Sequence, residues 1–304
     1  MTQLLNALPG ALAQGLIWGV MAIGVYITYK VLDIADLTVD GSICTGAAVC
    51  TMLLLGGQSP WLALLCAVLA GVLAGAVTGL LHVGLGIPPI LAGILTQMVL
   101  WSVNLKLLGK ANQVLPARTT PVLLSQMDVG GALPVLLGFC VVLVALLVLF
   151  FGTELGCALR ATGCNPVMSR AQGVNTGLMK IIGLALSNGV VALSGALLCQ
   201  YQGYTDVNMG RGAVVIGLAA VVIGQAVLGR RGGRMAVQLG GVILGAVIYY
   251  IVYQVIIFAG FDTDLLKMVS AVVVAVFLGA PHVKAQLKAH SRSKKGDSGH
   301  AKNE

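Results

Sequence analysis

The chain has 304 residues, of which 58% are hydrophobic and 9% charged, with a net charge of +8 and a mean hydropathy of +0.97. Soluble domains carry about a quarter of their residues as Asp, Glu, Lys and Arg, so this composition excludes a water-soluble globular fold. The positive balance gathers in the tail after Pro281 and in loops beside apolar runs, which assigns it to membrane topology rather than to nucleic acid.

In chain order, apolar runs predict membrane spans at 10–29, 41–55, 61–83, 88–108, 132–151, 178–201, 212–228, 235–258 and 265–280. The expected fold is all-α and polytopic, with about nine transmembrane helices (eight to ten). The first charge is Lys30, so 1–29 lacks the basic start of a signal peptide and is expected to belong to the mature fold. Runs 41–55 and 212–228 are short and led by glycine, as in discontinuous helices inside a bundle. Each follows a longer run and a polar break, a weak internal repeat whose two units face opposite ways. Gly71, Gly75 and Gly79, and Gly241 with Gly245, repeat at the four-residue spacing of close helix packing.

Arg160, Arg170 and Lys180 share one loop, Arg230, Arg231 and Arg234 another, and six lysines and arginines lie in the tail. With this set of spans all three fall on one side, which the positive-inside rule makes cytoplasmic. Residues 1–281 are thus expected to form one transmembrane domain with a cytoplasmic loop at 152–177. Residues 282–304 form a basic, largely disordered cytoplasmic tail.

Asp33, Asp36, Asp40, Asp128, Glu154, Asp206, Asp262 and Asp264 fall in predicted loops or at span edges, leaving the span interiors without ionisable groups. Proton-coupled machines keep charges inside, so an ion-coupled secondary carrier is the disfavoured reading, although backbone carbonyls of a broken helix can hold sodium. No GxxxxGK[ST] phosphate loop occurs, and His82, His282, His290 and His300 belong to no HExxH or GxSxG pattern. The chain is therefore read as neither an ATPase nor another enzyme, with no catalytic residue, metal or cofactor of its own. The seven cysteines have no ligand spacing and read as small packing residues.

The loop at 152–177 has helical punctuation. Asn165 is placed to cap a short helix with Pro166 at its first position, and Gly173 to stop it before Asn175 leads into the next span. A preformed two-turn helix on the cytoplasmic face suits a groove in a soluble partner and the transfer of rigid-body motion. An amphipathic connector is the plain alternative.

Three stretches carry a family resemblance: Arg160-Ala-Thr-Gly-Cys-Asn165 through Gly173-Val-Asn-Thr176 with Ser194-Gly-Ala196, Asp36-Leu-Thr-Val-Asp-Gly-Ser42 leading into Gly46-Ala-Ala48, and Ala219-Ala-Val-Val-Ile-Gly224. They resemble, in the same order, the permeases of binding-protein-dependent ABC importers that include the ribose and branched-chain amino acid permeases. The resemblance implies a type II-like importer transmembrane domain in the bacterial inner membrane, paired with a second permease as a homodimer. It also implies a separate ATPase holding ATP and Mg, and an extracytoplasmic solute-binding protein. The coupling helix would take in Arg160, Ala161, Thr162, Gly163, Asn165, Pro166, Ser169, Arg170, Gly173 and Asn175. Asp36, Thr38, Asp40 and Ser42 become candidates for gating or for capping a helix start. Gln97, Asn104, Ser187 and Asn188 are neutral polar groups within spans, candidates for the pathway or for interhelical hydrogen bonds. The chain departs from the sugar members in lacking an additional N-terminal span and in having Asp40 before the glycine. It is closest to the tryptophan and tyrosine subgroup, so an aromatic or branched-chain amino acid is the expected solute and a sugar or nucleoside the alternative.

Overall fold

The computed structural model describes residues 2–116, 120–228 and 234–258, with the single positions 272, 275 and 279. The elements are α1 (Thr2–Tyr26) continuing through a π-helical turn (Ile27–Val31), α2 (Val39–Leu55), α3 (Pro60–Gly84), α4 (Pro89–Leu108), β1 (Asn112–Val114), α5 (Val129–Gly152), α6 (Glu154–Cys164), α7 (Pro166–Ala171), α8 (Thr176–Gln202), β2 (Tyr204–Asp206), α9 (Ala213–Leu228) and α10 (Met235–Phe258). Among the described residues six helices are long and apolar enough to cross a membrane, and the two shorter apolar ones are α2 and α9. The expected span at 265–280, Arg230 with Arg231, and the tail lie outside the described residues.

Local chemistry sets the helix ends. Ser59, Asp128 and Asn175 accept hydrogen bonds from the backbone N–H of Leu62, Gly131 and Leu178, and so cap α3, α5 and α8. Gly109 and Gly203 end α4 and α8 at φ +71° and +75°, where a side chain would be strained. The strands β1 and β2 pair antiparallel, Gln113 opposite Thr205, and tie the ends of α4 and α8 together. This small two-stranded sheet was not expected, since three-residue strands leave no alternating pattern to read.

Helices α1 and α8 are largely buried, whereas most of α4 and α5 is exposed. Leu65, Leu69 and Leu73 on α3 and Val141, Leu146 and Leu149 on α5 point outward, as side chains facing lipid do. The core is held by backbone contact between helices. A Cβ on Gly46 would strike the Ala192 carbonyl, and on Gly71 and Gly75 the Asn188 and Leu184 carbonyls. Small residues permit this approach in lipid, where dispersion and hydrogen bonding replace the hydrophobic effect between helices.

The two broken units cross one another. Helix α1 runs antiparallel to α8: Gly10 faces the Tyr201 hydroxyl at one end, and Leu32 packs over Gly183 towards the other. Short helix α2 packs on α8 and short helix α9 on α1, so each unit lends its short helix to the other's long one. Between the π turn and α2 the chain has no regular secondary structure and turns back into the bundle, Asp33 taking the left-handed conformation at φ 56°. Helix α2 therefore starts inside the bundle beside Asn188, midway along α8.

Candidate functional site

The first group of candidates surrounds that buried start of α2. The Asp36 carboxylate accepts from the Thr38 backbone N–H at 2.8 Å and from Asn188 Nδ2 at 2.7 Å. Ser42 Oγ donates to Asn188 Oδ1 at 2.6 Å, while Asn188 Nδ2 also reaches the Leu184 carbonyl at 2.9 Å. The Asn188 amide is thus satisfied on both sides and pins the broken segment to α8. Asp36 is buried with no cationic side chain among the described residues paired to it. This corrects the expectation of a bundle interior without ionisable groups: the break between the first two helices is a loop in sequence but is sunk among helices, at a carboxylate that hydrogen bonds sustain.

Thr38 adds a row of hydroxyls. Thr96 donates to the Ala92 carbonyl at 3.0 Å, so it accepts from Thr78, also at 3.0 Å. Thr78 in turn accepts from Thr38 at 2.8 Å. Thr78 and Thr96 were not among the sequence candidates, although each is a hydroxyl placed within an apolar run.

Asp40, in the first turn of α2, accepts from the backbone N–H groups of Gly212 at 3.0 Å and Val214 at 3.1 Å. It satisfies the otherwise unpaired donors at the start of α9, so the short helices of the two units meet at one carboxylate. Beside it lies a cavity of about 780 Å³, open on one side and lined by Asp40, Gln97, Trp101, Asn104 and Arg211 among others. Asn104 is 1% exposed, and neither its Nδ2 nor its Oδ1 has a hydrogen-bond partner. Of the pathway candidates, Asp40, Gln97 and Asn104 line this cavity, whereas Asp36, Thr38, Ser42 and Asn188 form the buried cluster and are absent from its wall. Ser187 bonds the Gly24 carbonyl at 2.8 Å, an interhelical contact. Arg211 and Trp101 also line the cavity and were not among the sequence candidates.

The second group lies at the end of the bundle that carries Lys30, Arg160, Arg170 and Lys180. Asn165 Oδ1 accepts from the N–H groups of Val167 at 3.1 Å and Met168 at 3.0 Å, and Pro166 opens α7. Gly173 follows at φ +82°, and Asn175 caps α8. Arg160, Ala161, Thr162 and Gly163 belong instead to α6, a separate helix unseen in the sequence because glycines at 156 and 163 break its pattern. Those glycines serve packing: a Cβ on Gly163 would strike the Val31 carbonyl, and on Gly156 the Phe150 carbonyl.

The charged candidates bond within the chain. Arg160 donates to the Phe151 carbonyl at 3.1 Å and Arg170 to Thr176 Oγ1 at 3.0 Å. Ser169 is buried and donates to the Asn165 carbonyl at 2.9 Å. Helix α7 presents two large apolar side chains outward, Val167 79% and Met168 59% exposed, beside the exposed Arg170. Neither was a sequence candidate, since a valine and a methionine in a polar loop carry no motif.

The model of a family described as "Branched-chain amino acid transport system / permease component" matches residues 8–279. The chain is 38% identical over 287 residues to the "Tyrosine transport system permease protein" of Clostridioides difficile, covering 93% of this chain and 94% of that one. It is 33% identical to an uncharacterised protein of Rickettsia prowazekii, over 91% of this chain and 98% of the relative. It is also 29% identical to the "Autoinducer 2 import system permease protein LsrC" of Escherichia coli, over 67% and 60%. No solved structure matches. The all-α polytopic architecture with interrupted helices is that of the type II-like importer transmembrane domain. The chain belongs to the family of permease components of branched-chain amino acid transport systems.

Proposed function

We propose that this permease imports an amino acid across the bacterial cytoplasmic membrane, driven by a separate ATPase that presses on α7 from the cytoplasm. The observation that carries the reading is the exposure of Val167 and Met168 on a short helix braced at both ends, by Asn165 before it and Gly173 after it. An apolar tip with no use in water suits a hydrophobic groove in a soluble partner. Gly163, packed on the Val31 carbonyl, gives such a push a direct route to the end of α1 and the broken segment. ATP and Mg then belong to the ATPase, a solute-binding protein delivers from outside, and two copies of this chain form the pathway. The basic end and the tail face the cytoplasm.

The amino acid class rests on the relative named for tyrosine transport. Membrane vesicles holding the permease with its ATPase and binding protein should accumulate radiolabelled L-tyrosine or L-leucine only when ATP is supplied inside. Accumulation of ribose with neither amino acid would replace the substrate class and keep the mechanism. The buried Asp36 carboxylate favours a second reading, an ion-coupled carrier. That reading requires gradient-driven uptake by this chain alone in liposomes, and strict dependence on ATP and the partner excludes it.

A further inference from the structure

We infer that the cavity beside Asp40 holds the solute in transit, as a zwitterionic α-amino acid whose charged head lies between Asp40 and Arg211 and whose apolar side chain passes Asn104. The inference rests on the amino acid reading above and adds the site. Its volume of about 780 Å³ lies within the ~300–1,000 Å³ range of small-molecule sites. The lining combines one carboxylate and one guanidinium with neutral groups, among them Gln97 and Ser102.

Each Asp40 oxygen accepts one backbone N–H, which fixes the carboxylate and leaves lone pairs free for an ammonium. No ion pair or side-chain hydrogen bond occupies Arg211 among the described residues, so its planar fork remains available to a carboxylate. A free anion would meet Asp40, an amine Arg211, and a neutral sugar could hydrogen-bond to both groups but would compensate neither charge. A zwitterion uses both.

Asn104 supplies the independent observation. Buried polar groups are hydrogen-bonded as a rule, yet this amide is buried with both of its polar atoms unpaired. It lines both the charged cavity and a second one of about 540 Å³, open on one side and lined almost wholly by apolar side chains such as Val77, Leu95 and Leu107, which are themselves exposed. A charged cavity thus adjoins an apolar one, and the orphaned amide meets a ligand at the junction. An amino acid with a large apolar or aromatic side chain is divided in the same way.

The test uses Ser102→Cys, on the cavity wall, in membrane vesicles carrying the assembled transporter, with N-ethylmaleimide labelling at position 102 quantified by peptide mass spectrometry. L-tyrosine should slow labelling saturably, at least threefold. Tyramine, which lacks the carboxylate, and 3-(4-hydroxyphenyl)propionate, which lacks the ammonium, should need at least tenfold higher concentration. Arg211→Gln or Asn104→Leu in the same background should weaken protection by tyrosine about tenfold. Asn104→Leu removes no existing hydrogen bond, so loss of the fold is not its expected effect. Equal protection by all three compounds, or none in vesicles that do accumulate tyrosine with ATP, overturns the site. Protection without ATP-driven accumulation supports the site and overturns the transport reading.

Discussion

The Asp40 carboxylate accepts a hydrogen bond from the Val214 backbone N–H at 3.1 Å across 174 positions of sequence. With the Gly212 N–H on its other oxygen, it joins the starts of the two short helices. A cap of this kind is worth about 0.5–2 kcal/mol, and removing it leaves the exposed Gly212 and part-buried Val214 donors without their carboxylate partner. Asp40→Ala should lower the stability of the detergent-purified permease by about 1–2 kcal/mol, seen as a reduced Tm. Asp40→Asn, which keeps one acceptor oxygen, should lose less.

The hydroxyl row predicts an asymmetry. Thr78→Val removes the acceptor for Thr38 and the donor to Thr96, and should cost about 1–3 kcal/mol because the Thr38 hydroxyl is left buried without its partner. Thr96→Val should cost under about 1 kcal/mol, since Thr78 can turn to the Ala74 carbonyl at 3.2 Å. Equal losses in thermal melts would mean that the hydroxyls are not ordered in this direction.

Gly173 sits at φ +82°, so Gly173→Val imposes about 1–3 kcal/mol of backbone strain where α7 returns to the membrane. The expected readout is uncoupling: in vesicles with the ATPase and binding protein, uptake per ATP hydrolysed should fall several-fold. Asn165→Ala, which removes the α7 cap at a cost of about 1 kcal/mol, should act in the same direction. An unchanged ratio in both would separate α7 from the power stroke.

Gly75→Ala should destabilise strongly, by about 1–3 kcal/mol or more, because its methyl meets the Leu184 carbonyl rather than a movable side chain. Gly138→Ala, with nothing within 4 Å of its Cβ, should instead stabilise α5 by up to about 1 kcal/mol. Differential scanning fluorimetry on the two proteins distinguishes packing from helix propensity.

Much of this architecture could be read in the chain because a membrane helix must be long and apolar, and that leaves an unmistakable run. The end of α7 was legible for a similar reason, since Asn165, Pro166 and Gly173 are local signals for a local structure. What stayed hidden depends on distance. Asp36 reads as a loop acid until Asn188, 152 positions away, is placed against it. Arg211 reads as a lone charge between apolar runs until α4 folds over to share its cavity. Helix α6 escaped because its glycines weaken helical propensity for the sake of contact with Val31 and Phe150. Sequence separates side chains by number, whereas the bilayer interior brings together any polar groups that need one another.

The glycines of the central seam constrain how this chain varies among its kin. A methyl at Gly46, Gly71 or Gly75 would collide with main chain, which cannot be exchanged by mutation. Outward leucines such as Leu69 and Leu146 are more than half exposed, and valine, isoleucine or phenylalanine serves there equally well. Lineages of this permease should therefore diverge rapidly on their rind while these three glycines stay fixed within.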